Sequence, residues 1–261
     1  MFQNEAAHLK EWLEFHKLVG VQHFYLYNNL SSDNYKQILE PYIKSGQVTL
    51  INWPFAQENW LSIQLAAYNN LISKVRYSTK WLALLDLDEY LFPTEQDTLP
   101  AFLSTYEQFA GVCVNWQLYG TSGVKQVLPH QLLIENLVYK APTEHPENRL
   151  GKVICQPVLI NGPVMSTHVF TYKPGYYQVT PHKEPSYNKA MPSITIDKIR
   201  INHYWTGDEH YFKTVKVPRR LRFGSTMHDC LSRHTLYKQV KDTSIFRFIP
   251  ELKQRLRHSS I

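Results

Sequence analysis

The sequence predicts an α/β protein: a doubly wound, mostly parallel central sheet flanked by helices, followed by a mixed β-rich and helical C-terminal part. Three observations lead there. Short β-branched and aromatic runs alternate with helical-period segments as far as residue 93, the pattern of parallel strands joined by crossover helices. An apolar run from Trp81 to Pro93 is short enough for a buried strand, yet it carries Asp86, Asp88 and Glu89. The chain of 261 residues, 43% hydrophobic and 19% charged, can fill one large core, and no repeat or low-complexity linker divides it. Residues 1–261 are therefore read as a single domain.

Taken in order, Ala6, Leu9, Trp12, Leu13 and Leu18 recur at three- and four-residue spacing and predict a first helix, with Asn4 as its N-cap and Gly20 as its stop. Residues 21–27 read as a strand closed by Asn28, Asn29 and Asp33, which favour turns. A helix over 35–44 stops at Gly46, and 48–53 form the next strand. Ile63, Leu65, Ala66, Leu71, Ile72 and Val75 mark a helix over 61–76 that carries Gln64 and Asn69 and leads into the acidic strand. A helix over 101–109 precedes a strand over 111–118, which runs into small residues from Gly120 to Gly123. Residues 128–139 read as helix, 152–177 as short β runs broken by Pro157, Gly162, Pro163 and Pro174, and 181–192 as a loop. One or two strands over 194–204 end at Asn202, His203, Tyr204 and Trp205, and the segments 209–217 and 236–257 read as the last helices.

The formal net charge is +6, a surplus suited to phosphates, nucleic acid or anionic lipid. Arg219, Arg220 and Arg222, then Lys253, Arg255 and Arg257, crowd the end of the chain; taken alone, each cluster reads as a solvated basic face before a dedicated binding surface. No RNA-binding signature or Cys/His finger spacing occurs, so nucleic acid is not an expected partner. Cys113, Cys155 and Cys230 are odd in number and widely spaced, which points to a reducing compartment. No apolar run approaches the ~20 residues of a membrane span, and the N-terminus lacks a signal-peptide core. A cytoplasmic, soluble protein is expected.

Side chains alternate along a strand, so Asp86 and Asp88 would share one face and Glu89 would take the other. Two carboxylates at the C-terminal end of a strand sit where open α/β sheets bind ligands. Oxygen ligands suit Mg or Mn, held by one or two carboxylates with substrate phosphates and water completing the shell. A solvated turn after the strand is the plain alternative.

The order of several motifs resembles a known family. Asn4 and Glu5, then Glu11, Trp12 and His16, then Gly20, Val21, His23, Phe24 and Tyr25 resemble the opening of glycosyltransferase family 92. Tyr27, Asn28, Asn29, Ser31 and Asp33 are similar to its Y-D-N-x-S-x-D, with Asn28 in place of Asp; Gln64, Ala67, Tyr68 and Asn69 precede its D-x-D-E, which Asp86, Asp88 and Glu89 match. Trp116 with Gly120, Ser122 and Gly123, then Lys152, His168 and the run from Asn202 to Thr206 resemble later landmarks. The resemblance implies a GT-A type, Rossmann-like fold, with a nucleotide-sugar half about 1–120 and an acceptor half about 121–261. It also implies a strand before Asn4, in mid-sheet, of which only residues 1–3 fall in this sequence.

The function so implied is a metal-dependent, inverting glycosyltransferase. It would move a sugar from a nucleotide-sugar, commonly UDP-linked, to a glycan or lipid-linked acceptor in polysaccharide biosynthesis. Asp86, Asp88 and His203 would hold Mn or Mg. Asn4, Glu5, Asn28, Asp33, Gln64, Asp86 and Lys152 would line the donor site. The base that takes the acceptor proton would come from Glu144, Glu184, Asp208 or Glu209. Lys253, Arg255 and Arg257 add peripheral contact with an anionic membrane as an expectation. The competing readings are a nucleotidyl- or phosphotransferase, which would lack a P-loop here, and a carbohydrate-binding, transferase-like protein without turnover.

Overall fold

The structure, a computed structural model, describes residues 1–56, 59–222 and 224–258. The first elements follow in alternation: α1 (Ala6–Leu18), β1 (Phe24–Asn28), α2 (Tyr35–Lys44), β2 (Val48–Asn52), α3 (Trp60–Val75), β3 (Leu82–Ala83), β4 (Glu89–Pro93), α4 (Leu99–Leu103) and β5 (Gly111–Leu118). Then come α5 (Leu133–Asn136), β6 (Tyr139–Lys140), β7 (Gly151–Cys155), β8 (Gln178–Val179), β9 (Ile199–His203) and α6 (Glu209–Tyr211). A π-helical turn, Phe212–Lys216, joins α6 to α7 (Val217–Arg222), and α8 (Met227–Leu236), β10 (Val240–Lys241) and α9 (Ile249–His258) complete the order.

The fold is mixed α/β, but the sheet is not mostly parallel. Its main path runs β3-β7-β5-β9-β4, with β8 beside β5. β3–β7, β5–β7 and β4–β9 are antiparallel, whereas β5–β9 and β5–β8 are parallel. The parallel pattern read from the first 93 residues survives in β1–β2, which form their own two-stranded sheet. β7 and β9 come from the irregular second half of the chain, where strand direction leaves no local trace.

The acidic run is likewise not one strand. β3 and β4 lie in different parts of the sheet, and Asp86, Leu87 and Asp88 form the bend between them. Other bounds also move. Only Leu133–Asn136 of the expected 128–139 helix is helical, and α4 stops at Leu103. The 236–257 segment contains β10 and a 3-10 turn, Ser244–Phe248, before α9, while α8 ends where that helix was expected to begin. Asn4 is not the N-cap of α1: it adopts a left-handed φ of 54°, Glu5 holds the cap position, and Asp33 Oδ2 accepts the Ala6 N–H at 2.8 Å.

β5 carries core on both faces. Val112 and Val114 pack with Leu9, Leu13 and Phe15 of α1 and with Leu91 and Ile201, while Cys113 packs with Ala67, Leu71 and Val75 of α3. This alternation is what places helices on both sides of the sheet. β4 is an edge strand, and α1 covers its open edge: Trp12 Nε1 donates to Glu89 O at 2.8 Å and Leu91 N–H donates to His16 Nε2 at 3.2 Å. Glu11 on the same helix accepts the Leu133 and Ile134 N–H groups, at 2.8 and 3.1 Å.

A cleft of about 580 Å³ lies between β1 and β3, lined by Tyr25 to Tyr27, Leu82 to Leu84, and Tyr68 and Leu71 of α3. Phe2 pairs alongside β1, donating its N–H to Tyr27 O at 2.8 Å and accepting the Asn29 N–H at 2.9 Å.

Candidate functional site

The site forms where the bend after β3 meets the ends of β4 and β9. The bend is held by its own backbone and by Glu89: Glu89 N–H donates to Asp86 O at 3.1 Å, and Asp86 N–H donates to Glu89 Oε2 at 2.9 Å. Tyr204 N–H donates to Asp88 O at 2.8 Å and ties the bend to the end of β9. Glu89 pairs with His203 across the β4–β9 ladder, so the histidine is placed by register.

Each aspartate meets a lysine. Lys152 on β7, fully buried, puts Nζ 2.9 Å from Asp86 Oδ2 and 3.7 Å from Glu89 Oε2. Gln64 on α3 donates to the other Asp86 oxygen at 2.7 Å, so both Asp86 oxygens have donors. Lys216, at the end of the π turn, donates to Asp88 Oδ2 at 2.8 Å, while His203 Nε2 stands 3.5 Å from Asp88 Oδ1. Asp88 is thus flanked by two nitrogens of different chemistry.

Electrostatics separates the three carboxyls. Burial alone would raise Asp86, but the Lys152 ammonium holds it below the usual range. Against the same burial, Lys216 and His203 hold Asp88 well below. Glu89 goes the other way: burial drives it well above the ordinary carboxyl range despite Lys152. Two carboxyls held low therefore sit beside one driven high, which the ladder keeps from water. Glu89 Oε1 and His203 Nδ1, 3.9 Å apart and both buried, have no hydrogen-bond partner among the described residues.

An aromatic wall adjoins His203. Trp116 lies 4.7 Å from its ring and 5.2 Å from that of His168, centre to centre. His168 holds Gly151 O through Nδ1 at 2.6 Å, and burial pulls its pKa down to about 4, so it is neutral at physiological pH.

The other residues singled out from the sequence fall into two groups. Glu5 is close to the centre: it accepts from Tyr211 Oη at 2.8 Å and from Arg219 at 3.2 Å, beside the turn that carries Lys216. Asn4, Asn28 and Asp33 build the β1–α2 turn instead. Asn4 Oδ1 accepts the Ser32 N–H at 2.8 Å, Asn28 bridges Ser31 N–H and Tyr35 Oη, and Asp33 caps α1.

Among the four base candidates, Asp208 accepts the Tyr211 and Val127 N–H groups, both at 2.8 Å. Glu209 is bound by Thr121, His234 and Lys238, which against burial bring it down to about 2. Glu144 and Glu184 are exposed, and among the described residues neither pairs with the acidic cluster.

Lys216 was not singled out from the sequence. Lys213, three residues earlier, is 72% exposed and Lys216 is 11% exposed at the side chain, a contrast that composition does not reveal. The Trp205 ring that its Nζ approaches at 5.1 Å gives no sign of this in the sequence.

Among the described residues, no three His, Cys, Asp or Glu side chains are grouped to hold a metal ion by themselves. Asp88 and His203 give an oxygen and a nitrogen 3.5 Å apart, a pair that fits Mn or Mg only where phosphates and water supply the remaining ligands.

A mixed α/β scaffold thus gathers two aspartates, two lysines and a histidine at the end of its sheet. The profile of glycosyltransferase family 92 matches residues 1–215. The chain belongs to this family.

A family 92 protein of Ricinus communis is 26% identical over 189 residues, covering 67% of this chain and 31% of the relative. One from Oryza sativa subsp. japonica is 34% identical over 108 residues, covering 41% of this chain and 18% of the relative. A galactan β-1,4-galactosyltransferase of Arabidopsis thaliana is 24% identical over 106 residues, covering 39% and 21%. This chain spans less than a third of the length of these relatives. No helix among the described residues is long and apolar enough to cross a membrane.

Proposed function

We propose that the chain carries the donor site of an inverting, GT-A type glycosyltransferase that takes a UDP-linked hexose and passes the sugar to a glycan or lipid-linked acceptor. The observation that carries this reading is the Asp86–Asp88 bend, whose carboxylates are ionised and set between Lys152, Lys216 and His203. In this reading Asp88 and His203 hold a Mn or Mg ion, which would offset the charge that develops on the leaving diphosphate. Asp86, already bonded to Gln64 and Lys152, serves as an acceptor for a donor hydroxyl. Lys152 keeps that carboxylate ionised and aimed. Glu89 fixes the bend, and Trp116 offers an aromatic edge to the donor.

The resemblance to a galactan β-1,4-galactosyltransferase makes UDP-galactose the first donor to try and a β-1,4-galactan oligosaccharide the first acceptor. The expected result is Mn-dependent extension of the acceptor with release of UDP, lost in Asp88→Asn. Turnover that survives this change would contradict the reading. A second reading, donor binding without transfer, is favoured by one observation: Asp208 and Glu209 are already committed to structural bonds. Under it, UDP-galactose would bind with no UDP released. Glu144→Gln and Glu184→Gln decide which exposed carboxylate serves as base, since only the base variant would lose kcat while keeping donor affinity.

A further inference from the structure

Lys216 stands where a second cation at Asp88 would have to act. Its ammonium is 2.8 Å from Asp88 Oδ2, and the opposite oxygen faces His203 Nε2 at 3.5 Å. Its Nζ lies 5.1 Å from the Trp205 ring centre, and its side chain is only 11% exposed. The site is part-buried, so like charges placed a few ångströms apart there repel strongly. A divalent ion bound by Asp88 and His203 would share Asp88 with this ammonium.

The element carrying Lys216 fits a side chain with two positions. The five residues Phe212–Lys216 form a π turn, a wide helical geometry that recurs at functional sites. The turn is anchored from both sides. Tyr211 before it and Arg219 after it both hold Glu5, at 2.8 and 3.2 Å. The backbone at Lys216 is thereby fixed, and its four-carbon stem is the part free to swing.

We propose that Lys216 is a tethered counter-cation: it neutralises Asp88 while the donor site is empty, and it transfers to the donor's diphosphate when a divalent ion takes Asp88. This rests on the proposed donor site. Its consequence is coupling, because the ion alone must displace Lys216 without compensation, whereas ion and diphosphate together give the ammonium a new anionic partner. Ion and nucleotide would then bind as a pair.

The test is Mn binding to the full chain, followed by the EPR signal of the free ion, with and without UDP. Wild type should bind Mn weakly alone and at least about tenfold more tightly with UDP. Lys216→Gln should bind Mn alone at least about tenfold more tightly than wild type, and UDP should add little. Lys216→Met, which keeps the apolar stem beside Trp205, should behave like Lys216→Gln, and Lys216→Arg, which keeps the charge, like wild type. Mn bound by wild type with UDP, while both neutral variants without UDP bind it no more tightly than wild type does without UDP, would overturn the counter-cation role alone. No Mn bound by wild type even with UDP would overturn the metal site as well.

Discussion

At the scale of single residues, the strongest commitment is Lys152. It is 3% exposed and holds Asp86 and Glu89 together, and Asp86 and Glu89 in turn keep its ammonium charged against the cost of burial. Removing one partner of a buried pair leaves the other charge uncompensated. Lys152→Met should therefore lower stability by about 3–5 kcal/mol in urea unfolding. A loss below about 1 kcal/mol would mean that the pair is effectively solvated. The sequence offered Lys152 only through its place in a motif, and nothing in a lone lysine announces burial. Gln64 was readable in the same way, and the structure adds its bond to Asp86. Asn28 and Asp33 were legible as turn formers, and the turn is where their bonds lie.

His16 makes a second prediction at this scale. Burial pulls its imidazole from 6.5 down to about 4, and both ring nitrogens are engaged, with Trp12 O and Leu91 N–H. The unfolded chain protonates first. The stability this residue contributes is therefore complete above about pH 6.5 and is lost progressively as pH falls toward about 4, by up to about 3 kcal/mol. Wild type should lose more stability than His16→Gln between about pH 7 and pH 4.5 in urea melts. Equal losses would contradict the buried neutral histidine.

At the scale of elements, α1 shows how a helix packed on the sheet edge governs the site. Its apolar face fills the core, while Trp12 and His16 satisfy the open edge of β4 next to Asp88. The apolar periodicity of α1 was plain in the sequence, but the polar bonds of its indole and imidazole were not, since periodicity reports only which face is buried. The bend at Asp86–Asp88 was hidden for a related reason: apolar residues run through it, and only the pairing of β3 and β4 with different partners breaks the strand.

β7 depends on one glycine. A Cβ at Gly151 would come within 1.8 Å of Val114 O, so any side chain would force β5 and β7 apart just before Lys152. Gly151→Ala should cost about 3 kcal/mol and weaken donor binding together with stability. A folded variant of wild-type stability would show that this close approach is not required.

At the scale of the whole molecule, the class was legible and the topology was not. Alternating strand and helix signals correctly announced α/β layers, and β5 with core on both faces is the result. The strands that make the sheet mixed are short and come from proline-interrupted sequence, where hydrophobic runs carry no direction. Long-range pairing also brings His203 beside Asp88 across more than a hundred residues, a proximity that only the family resemblance suggested. The cleft between β1 and β3 separates the two-stranded β1–β2 sheet from the six-stranded sheet.

The Asp86–Asp88 bend is proposed as a nucleotide-sugar donor site that works with a divalent ion. The most direct measurement is calorimetric titration of UDP-galactose into wild type and Asp88→Asn, each with and without Mn. Wild type should bind UDP-galactose more tightly with Mn, and Asp88→Asn should lose that binding, with both proteins cooperatively folded. Binding that is the same in both proteins and indifferent to Mn would contradict the proposal.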